Sequence, residues 1–251
     1  MNVIVEAKDI RLTYHDPSGE TEAISNVSFQ VFEGEFVSIV GPSGCGKTSV
    51  LSLIAGLMPP SGGEIRNYGN AAGYMLQRDH LLDWRNIEGN VLLGLQVKGM
   101  LNEETKANAI ALLDTYGLSE FRYNYPRQLS GGMRQKVALI RTLAFTPDLL
   151  LLDEPFSSLD YLTRLKASNE IHDIIKKEKK TAILVTHDIA EAISMSDRIL
   201  VLTTRPARIK NEYIVTLTAK PEPIARRNAP EFKEYFDRIW KELDNGEANN
   251  R

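Results

Sequence analysis

The stretch Phe36–Thr48, with the sequence FVSIVGPSGCGKT, decides how the middle of this chain folds. Its first five residues are rich in β-branched side chains, which are typical of a buried strand. Apolar residues at helical spacing follow over Lys47–Ala55. Gly41–Thr48 lies between the two and matches the pattern G-x-x-x-x-G-K-[ST]. Strand, glycine-rich loop and helix in this order predict a phosphate-binding loop at the start of a helix.

Each residue type in this loop has a role in binding a triphosphate. Glycines allow backbone N–H groups to turn toward phosphate oxygens, Lys47 supplies a positive charge, and the hydroxyl of Thr48 can bind Mg²⁺. We therefore expect a nucleoside triphosphate as ligand, rather than an ordinary turn with a surface lysine. The predicted binding residues are Gly41, Pro42, Ser43, Gly44, Cys45, Gly46, Lys47 and Thr48.

A second apolar run, Leu149–Leu152, ends in two adjacent acids, Asp153 and Glu154. Neighbouring residues on a strand point to opposite faces, so the two carboxylates cannot face a metal ion equally. We assign Asp153, together with Thr48, to Mg²⁺, and Glu154 to the base that orients the attacking water. The alternative is a buried strand that ends in two solvated acids.

A second anion-binding helix start is predicted at Ser130, Gly131 and Gly132. Ser130 is well placed as an N-cap, and the two glycines leave amide donors exposed. The loop around Lys47 already holds the phosphates of one triphosphate. We therefore expect a head-to-tail homodimer, in which these three residues of one subunit cover the phosphate bound by the other.

Length and composition limit the function classes. The chain has 251 residues, of which 43% are hydrophobic and 25% charged, so a disordered chain and a coiled coil are excluded. Its net charge of -3 argues against nucleic-acid binding. The sequence shows neither an apolar run of membrane-spanning length nor a secretory signal, and its single cysteine is consistent with a reducing cytosol.

The same cysteine, Cys45, lies in the loop just before a predicted helix start. The positive potential there favours a thiolate, so we predict that a thiol alkylator modifies Cys45 and abolishes nucleotide binding. An inert, small packing residue is the alternative.

The remaining sequence predicts an α/β fold. Residues Val3–Tyr14 and Ala23–Phe32 have strand composition, and the sheet resumes at Leu149–Leu152 and Thr181–Val185 after a mostly helical region. We predict a P-loop NTPase core with a mixed sheet, an N-terminal antiparallel β subdomain and an inserted α-helical subdomain.

Further helices are expected at Leu162–Lys177 and Glu231–Leu243, and a third is expected to begin after its cap Asn102 and to end at Tyr116. Residues Asp244–Arg251 are expected to be a frayed tail. The predicted parts of this single domain are 1–77 and 146–210 for the nucleotide-binding core with its β subdomain, 78–145 for the helical subdomain and 211–251 for a C-terminal extension.

Five motifs, in this order, resemble those of ABC-transporter ATPase subunits: GPSGCGKT at 41–48, LSGGMRQK at 129–136, LLLLDEP at 149–155, SSLD at 157–160 and LVTHD at 184–188. The resemblance extends from Tyr14 to about Ile209 and implies that ATP is the nucleotide. Met133 stands where many members have glutamine, a difference that leaves the amide donors intact.

The resemblance also implies roles for three further residues. Tyr14 stacks on adenine, and His187 donates a hydrogen bond to the γ-phosphate. Gln77 contacts the metal ion or the attacking water. The alternatives are a half-exposed strand tyrosine, a core histidine and an exposed loop glutamine.

Region 78–95 is the expected contact with a membrane partner. Arg78–Arg85 combines Leu81, Leu82 and Trp84 with charged residues, as a docking surface would. In the family this region receives a cytoplasmic helix of the membrane permease subunit. The alternative is that the apolar residues begin the core of the helical subdomain.

Within the family, the motifs resemble those of importers of nitrate, sulfonates, taurine and pyrimidine precursors. The resemblance implies an ATP-hydrolysing subunit at the cytoplasmic face of the membrane, which works indirectly with a substrate-binding protein. A soluble ABC-class ATPase and a P-loop kinase are the alternatives; the kinase has no use for Ser130–Gly132 or for Glu154 as a base.

Overall fold

The fold is taken from a computed structural model, which describes residues 2–17 and 19–248. Within these residues, nine strands form one mixed sheet. The strands are β1 Val3–Asp16, β2 Gly19–Phe32, β3 Phe36–Val40, β4 Gly62–Asn67, β5 Ala72–Met75, β6 Leu149–Asp153, β7 Thr181–Thr186, β8 Arg198–Leu202 and β9 Ala207–Ile214. Their order in the sheet is β4-β1-β2-β9-β8-β3-β7-β6-β5.

Nine α-helices are described over the same residues. They are α1 Lys47–Ile54, α2 Ile87–Val91, α3 Leu93–Val97, α4 Glu103–Thr115, α5 Gly131–Leu143, α6 Tyr161–Lys177, α7 Ile189–Met195, α8 Pro223–Arg226 and α9 Phe232–Ala248. None is long and apolar enough to span a membrane.

The parallel part of the sheet places the ends of three strands at one edge. Strands β3, β6 and β7 are buried along their whole length, which agrees with their continuous apolar sequences. Val40 pairs with Thr186 and Asp153 pairs with Val185, so these strands finish at the same level. The residues that follow them therefore lie close together, at the edge where open α/β sheets bind ligands.

The antiparallel part joins the same sheet through β9. Strands β1, β2 and β4 pair in antiparallel fashion. Strand β9 pairs with β2 in parallel and with β8 in antiparallel fashion, which makes the sheet mixed. The predicted fold class is thus confirmed.

Helix α5 packs against both the sheet and the helical region between β5 and β6. Its residues Ala138 and Leu139 join the core on the sheet, whereas Val137 and Ile140 join a second core made by helices α2 to α5 and nearby loops. The helical region has its own buried interior, and α5 connects it to the sheet.

Several predicted boundaries shift by a few residues. Strand β1 runs to Asp16 instead of ending at Tyr14, and α1 ends at Ile54 with Ala55 as its C-cap. Asn102 caps α4 by accepting a hydrogen bond from the N–H of Thr105 at 2.9 Å. The predicted frayed tail is wrong for residues 244–248, because α9 continues to Ala248; residues 249–251 lie outside the described part.

Candidate nucleotide-binding site

The loop after β3 has a backbone that requires glycine at two positions. Gly44 and Gly46 have φ angles of 73° and 113°, in the left-handed region that other residues avoid. A Cβ atom on Gly46 would also lie 3.3 Å from the carbonyl oxygen of Ala23. The chain can therefore turn tightly from the strand into α1 and direct its N–H groups inward.

The side chain of Lys47 folds back over this loop. It is only 5% exposed, and its Nζ donates hydrogen bonds to the carbonyl oxygens of Gly41 at 2.8 Å and Pro42 at 3.0 Å. Both acceptors are neutral, which leaves the ammonium charge available to an anion. This arrangement fits a phosphate group.

Thr48 and Asp153 meet through their side chains. The Thr48 hydroxyl donates to Asp153 Oδ1 at 3.0 Å, and the Tyr74 hydroxyl donates to Oδ2 at 3.2 Å. Burial raises the pKa of the Asp153 carboxyl, although both hydrogen bonds oppose the shift. A buried carboxylate beside a hydroxyl is a set of oxygen ligands that suits Mg²⁺.

The three predicted catalytic residues also lie together. Glu154 Oε2 is 3.1 Å from Nδ1 of His187. The amide nitrogen of Gln77 is 3.5 Å from the same oxygen and donates to the Ser157 hydroxyl at 3.4 Å. These residues follow three different strands, so the sheet edge brings them together.

The two neighbouring acids face different partners, but not for the predicted reason. Strand β6 ends at Asp153, and Glu154 has a left-handed backbone with φ of 43°. Its N–H still donates to the carbonyl of Val185 at 2.9 Å. A turn, rather than the alternation of side chains along a strand, therefore directs Glu154 toward His187 and leaves Asp153 facing Thr48.

Ser130, Gly131 and Gly132 occupy the start of α5. Ser130 is its N-cap and accepts a hydrogen bond from the N–H of Met133 at 3.4 Å. A Cβ atom on Gly131 would lie 2.7 Å from Leu159 Cδ2, so glycine permits a close approach of the chain segment before α6. A cleft of about 600 Å³ lies here and shares no lining residue with the cleft beside Gly41 and His187.

Tyr14 lies next to the first turn of α1. Its hydroxyl is 2.9 Å from the Ser49 hydroxyl and 3.8 Å from the sulfur of Met58. The residue is 40% exposed, so part of the ring is accessible. A contact with adenine stays a prediction.

The prediction of a reactive Cys45 is wrong. The residue is 1% exposed, and burial raises the pKa of its thiol despite the nearby charge of Lys47. A Cβ atom on Gly41 would lie 2.8 Å from the sulfur, which shows how closely the loop covers it. Cys45 is the packing residue of the alternative interpretation.

Each of the two interpretations of segment 78–85 describes part of it. Leu81 is buried in the helical core, whereas Trp84 is 75% exposed. Asn90 fixes the segment, because its side chain accepts from the N–H of Leu82 at 2.7 Å and donates to the carbonyl of the same residue at 3.1 Å.

Two arginines of α5 also hold this segment. Arg134 donates to the carboxylate of Asp79 at 3.0 Å. Arg141 donates to the backbone carbonyls of Asp79 at 2.7 Å and His80 at 2.8 Å. The chain that follows Gln77 is therefore bound to the helix that begins after Ser130.

Sequence reasoning missed residues that reach the site from other parts of the chain. Arg205 donates to the carbonyl of Gly44 at 2.9 Å, and Tyr74 bonds Asp153 as described above. Arg164 donates to the carbonyl of Leu159 at 3.0 Å and lies 3.6 Å from the carboxylate of Asp188. Tyr74 lies on β5, the strand that leads to Gln77, and this position offered a weak signal, whereas nothing in the local sequence indicated Arg205.

Comparisons with known proteins agree with this geometry. The family model described as ABC transporter matches residues 24–157. The ABC transporter ATP-binding protein YtlC of Bacillus subtilis is 46% identical over 95% of both chains. The taurine import ATP-binding protein TauB of Ruegeria pomeroyi is 39% identical over 82% of this chain and 80% of its own.

A solved structure is also similar over most of the chain. It is described as a dimeric, post-hydrolysis state of the ATP-binding cassette MJ0796 bound to ADP and Pi. The match has a TM-score of 0.71 at 30% identity and covers 84% of this chain and 99% of the other.

Proposed function

Because this chain belongs to the ABC transporter family and is an ATPase, we propose that it hydrolyses ATP in a head-to-tail homodimer and thereby drives import of a small nutrient. The observation that carries the proposal is the meeting of Glu154, His187 and Gln77 at the sheet edge, next to Lys47 and the Thr48–Asp153 pair.

Each group at this edge has a step in hydrolysis. The loop N–H groups and Lys47 hold the phosphates, and Thr48 and Asp153 would hold Mg²⁺, which neutralises phosphate charge when it is bound. Glu154 accepts a proton as a water oxygen bonds to the γ-phosphorus and the bond to the ADP oxygen breaks. Nδ1 of His187 lies 3.1 Å from Oε2 of Glu154, close enough to position this carboxylate at the site.

The dimer is proposed from the separation of the two anion-binding helix starts. The clefts beside Gly41 and beside Ser130 share no lining residue. Ser130, Gly131 and Gly132 therefore have amide donors for a phosphate held by another copy. The similar cassette was solved as a dimer, which supports the formation of a dimer by this chain.

Coupling to import is proposed from the exposed part of segment 78–85. Trp84 offers a large apolar surface beside charged residues, as expected of a contact with membrane permease subunits. The chain would then lie at the cytoplasmic face of the membrane and respond indirectly to a substrate-binding protein. Relatives named for taurine import favour a taurine-like sulfonate as cargo, and they favour transport over a soluble ATPase.

In this proposal, residues 78–145 form the helical subdomain and move against the core of residues 1–77 and 146–210, and residues 211–251 form a C-terminal extension.

Phosphate release tests the proposed chemistry. We expect the protein to release phosphate from ATP without forming a phosphorylated acceptor, which distinguishes it from a kinase. Lys47→Ala should weaken ATP binding about 100-fold, because it removes the one charged side chain of the loop. Unchanged ATP affinity in this variant would contradict the assignment of the loop.

The transport proposal needs the membrane partners. Copurified permease subunits should allow a ligand-loaded binding protein to stimulate ATP turnover, and the cargo is the ligand that does so. Turnover that no binding protein changes would favour the soluble ATPase.

A further inference from the structure

An apolar surface of α9 lies beside the phosphate loop and has no place in the chemistry described above. We call Trp240 and Leu243 the α9 patch. Trp240 is 55% exposed and stacks on Phe236 with ring centroids 6.2 Å apart. The patch borders a cleft of about 200 Å³, whose other walls include Gly41, Ser43 and His187.

The orientation of α9 is fixed by its opposite face. Ile239 is fully buried in a core with Val40 and Ile189. Asn211 donates to the carboxylate of Glu242 at 2.7 Å, and the Tyr213 hydroxyl donates to the same carboxylate. Trp240 is therefore held at the surface by packing on both sides of it in the helix. A rigid exposed tryptophan is the kind of side chain that dominates the energy of protein interfaces.

A second apolar surface lies near the other helix start. Tyr161 and Leu162, the α6 patch, are 65% and 67% exposed and follow Asp160 directly. Leu159 lies against Gly131, as described above, so this patch is close to Ser130–Gly132. Each chain thus carries one exposed apolar patch beside its phosphate loop and another beside its Ser130 segment.

The head-to-tail arrangement brings these two kinds of patch together. When Ser130–Gly132 of one copy covers the phosphates at Lys47 of the other, the α6 patch comes to the rim of the same loop. The Ser43 and His187 side of that rim is the side that carries the α9 patch. We propose that the α9 patch is a contact of the ATP-bound dimer and receives the α6 patch of a second copy. The inference rests on the proposed dimer and adds a residue from outside the motifs to its interface.

Dimer formation by the Glu154→Gln protein tests the contact. This variant should retain ATP, so its dimer can be measured by analytical ultracentrifugation over a range of protein concentrations. In that background we expect Trp240→Ser to weaken the ATP-dependent dimer at least about 10-fold. Tyr161→Ser should weaken the dimer as well. In the double variant, the dissociation constant of the dimer should rise by less than the product of the two single-variant increases.

The matched control is Ile214→Ser. Ile214 is 72% exposed and pairs with Arg198 at the start of β8, at the opposite end of the sheet from the phosphate loop. The dimer of this control variant should have the same dissociation constant as the dimer of the Glu154→Gln parent. Circular dichroism, and a Trp240→Phe variant with a smaller loss, separate a lost contact from a lost fold.

Tryptophan fluorescence gives an independent measurement. The chain has two tryptophans, so Trp84→Phe in the same background leaves Trp240 as the only one. Its emission should shift to shorter wavelength when ATP induces the dimer, because the ring leaves water.

The outcomes separate the two proposals. If the Glu154→Gln parent stays monomeric with ATP, the proposed dimer fails and this contact fails with it. If the parent dimerises while Trp240→Ser dimerises equally well and the emission does not change, only the contact is overturned. Independent losses from Trp240→Ser and Tyr161→Ser would overturn the pairing of the two patches.

Discussion

Glu191 should make the stability of this protein fall as pH rises. The residue is 3% exposed in α7, four positions after His187, and burial raises the pKa of its carboxyl from 4.5 to about 7. A hydrogen bond from Thr186 and the charges of Arg164 and Arg227 oppose the shift, while Asp188 adds to it. Burial is the largest of these effects.

The sign follows from proton binding. The folded protein holds the Glu191 proton more tightly than the unfolded chain, so its contribution is fully present below pH 4.5 and is lost as pH rises toward 7. One pKa unit corresponds to about 1.4 kcal/mol. Relative to low pH, the shifted pKa of Glu191 therefore lowers the free energy of unfolding by about 1 kcal/mol near pH 5.5 and by about 3 kcal/mol near pH 8. The difference of about 2 kcal/mol should disappear in Glu191→Gln.

Urea unfolding of the wild-type protein and of Glu191→Gln at these two pH values measures the effect. Other titrating groups contribute equally to both proteins, so the difference between their free energies of unfolding isolates Glu191. The stability of the variant relative to wild type should increase by about 2 kcal/mol from pH 5.5 to pH 8. Glu120→Gln, at an exposed position, controls for the loss of one negative charge. Relative stability that is equal at both pH values would refute the reasoning from burial.

Three further predictions concern the nucleotide site. Glu154→Gln should lower ATP turnover about 100- to 10,000-fold in a phosphate-release assay while ATP still binds, because an amide cannot accept the proton of water; near-normal turnover would remove Glu154 from its role. Cys45 should escape iodoacetamide in the native protein and react in urea, as measured by mass spectrometry, since it is buried. Arg205→Ala should weaken ATP binding about 5-fold in a titration, because it removes the hydrogen bond to Gly44; equal affinity would mean that the loop holds its shape unaided.

The parts of the site that depend on local sequence could be predicted. The loop from Gly41 to Thr48 and the strand that ends at Asp153 are recognisable because strand, turn and helix signals occur within a few residues of each other. Glu154 and His187 could each be placed just after a predicted strand, whereas their contact became visible only in the structure, where these parallel strands end at one edge of the sheet.

The parts that depend on packing between distant segments could not be predicted. For Cys45, the local rule for a helix start indicated a low thiol pKa, but burial outweighs it, and burial is not visible in a single loop. Apolar content alone could not separate Leu81 from Trp84, because the path of this segment depends on contacts with residues outside it, such as the hydrogen bonds between Asn90 and the backbone of Leu82. Arg205 reaches Gly44 across 161 positions of sequence.

The attachment of segment 78–85 to α5 has a mechanical consequence. Arg134 and Arg141 tie that segment to the helix at points almost two turns apart, so the two cannot rotate independently. A force that a partner exerts on Trp84 would therefore displace α5 as a rigid body, and with it Ser130 at the start of the helix. The interior that α5 shares with the sheet resists this tilt, together with the ion pair between Lys136 of α5 and Glu170 of α6. A change in the side chains of that interior, far from any ligand, should therefore alter how much of each ATP cycle becomes movement.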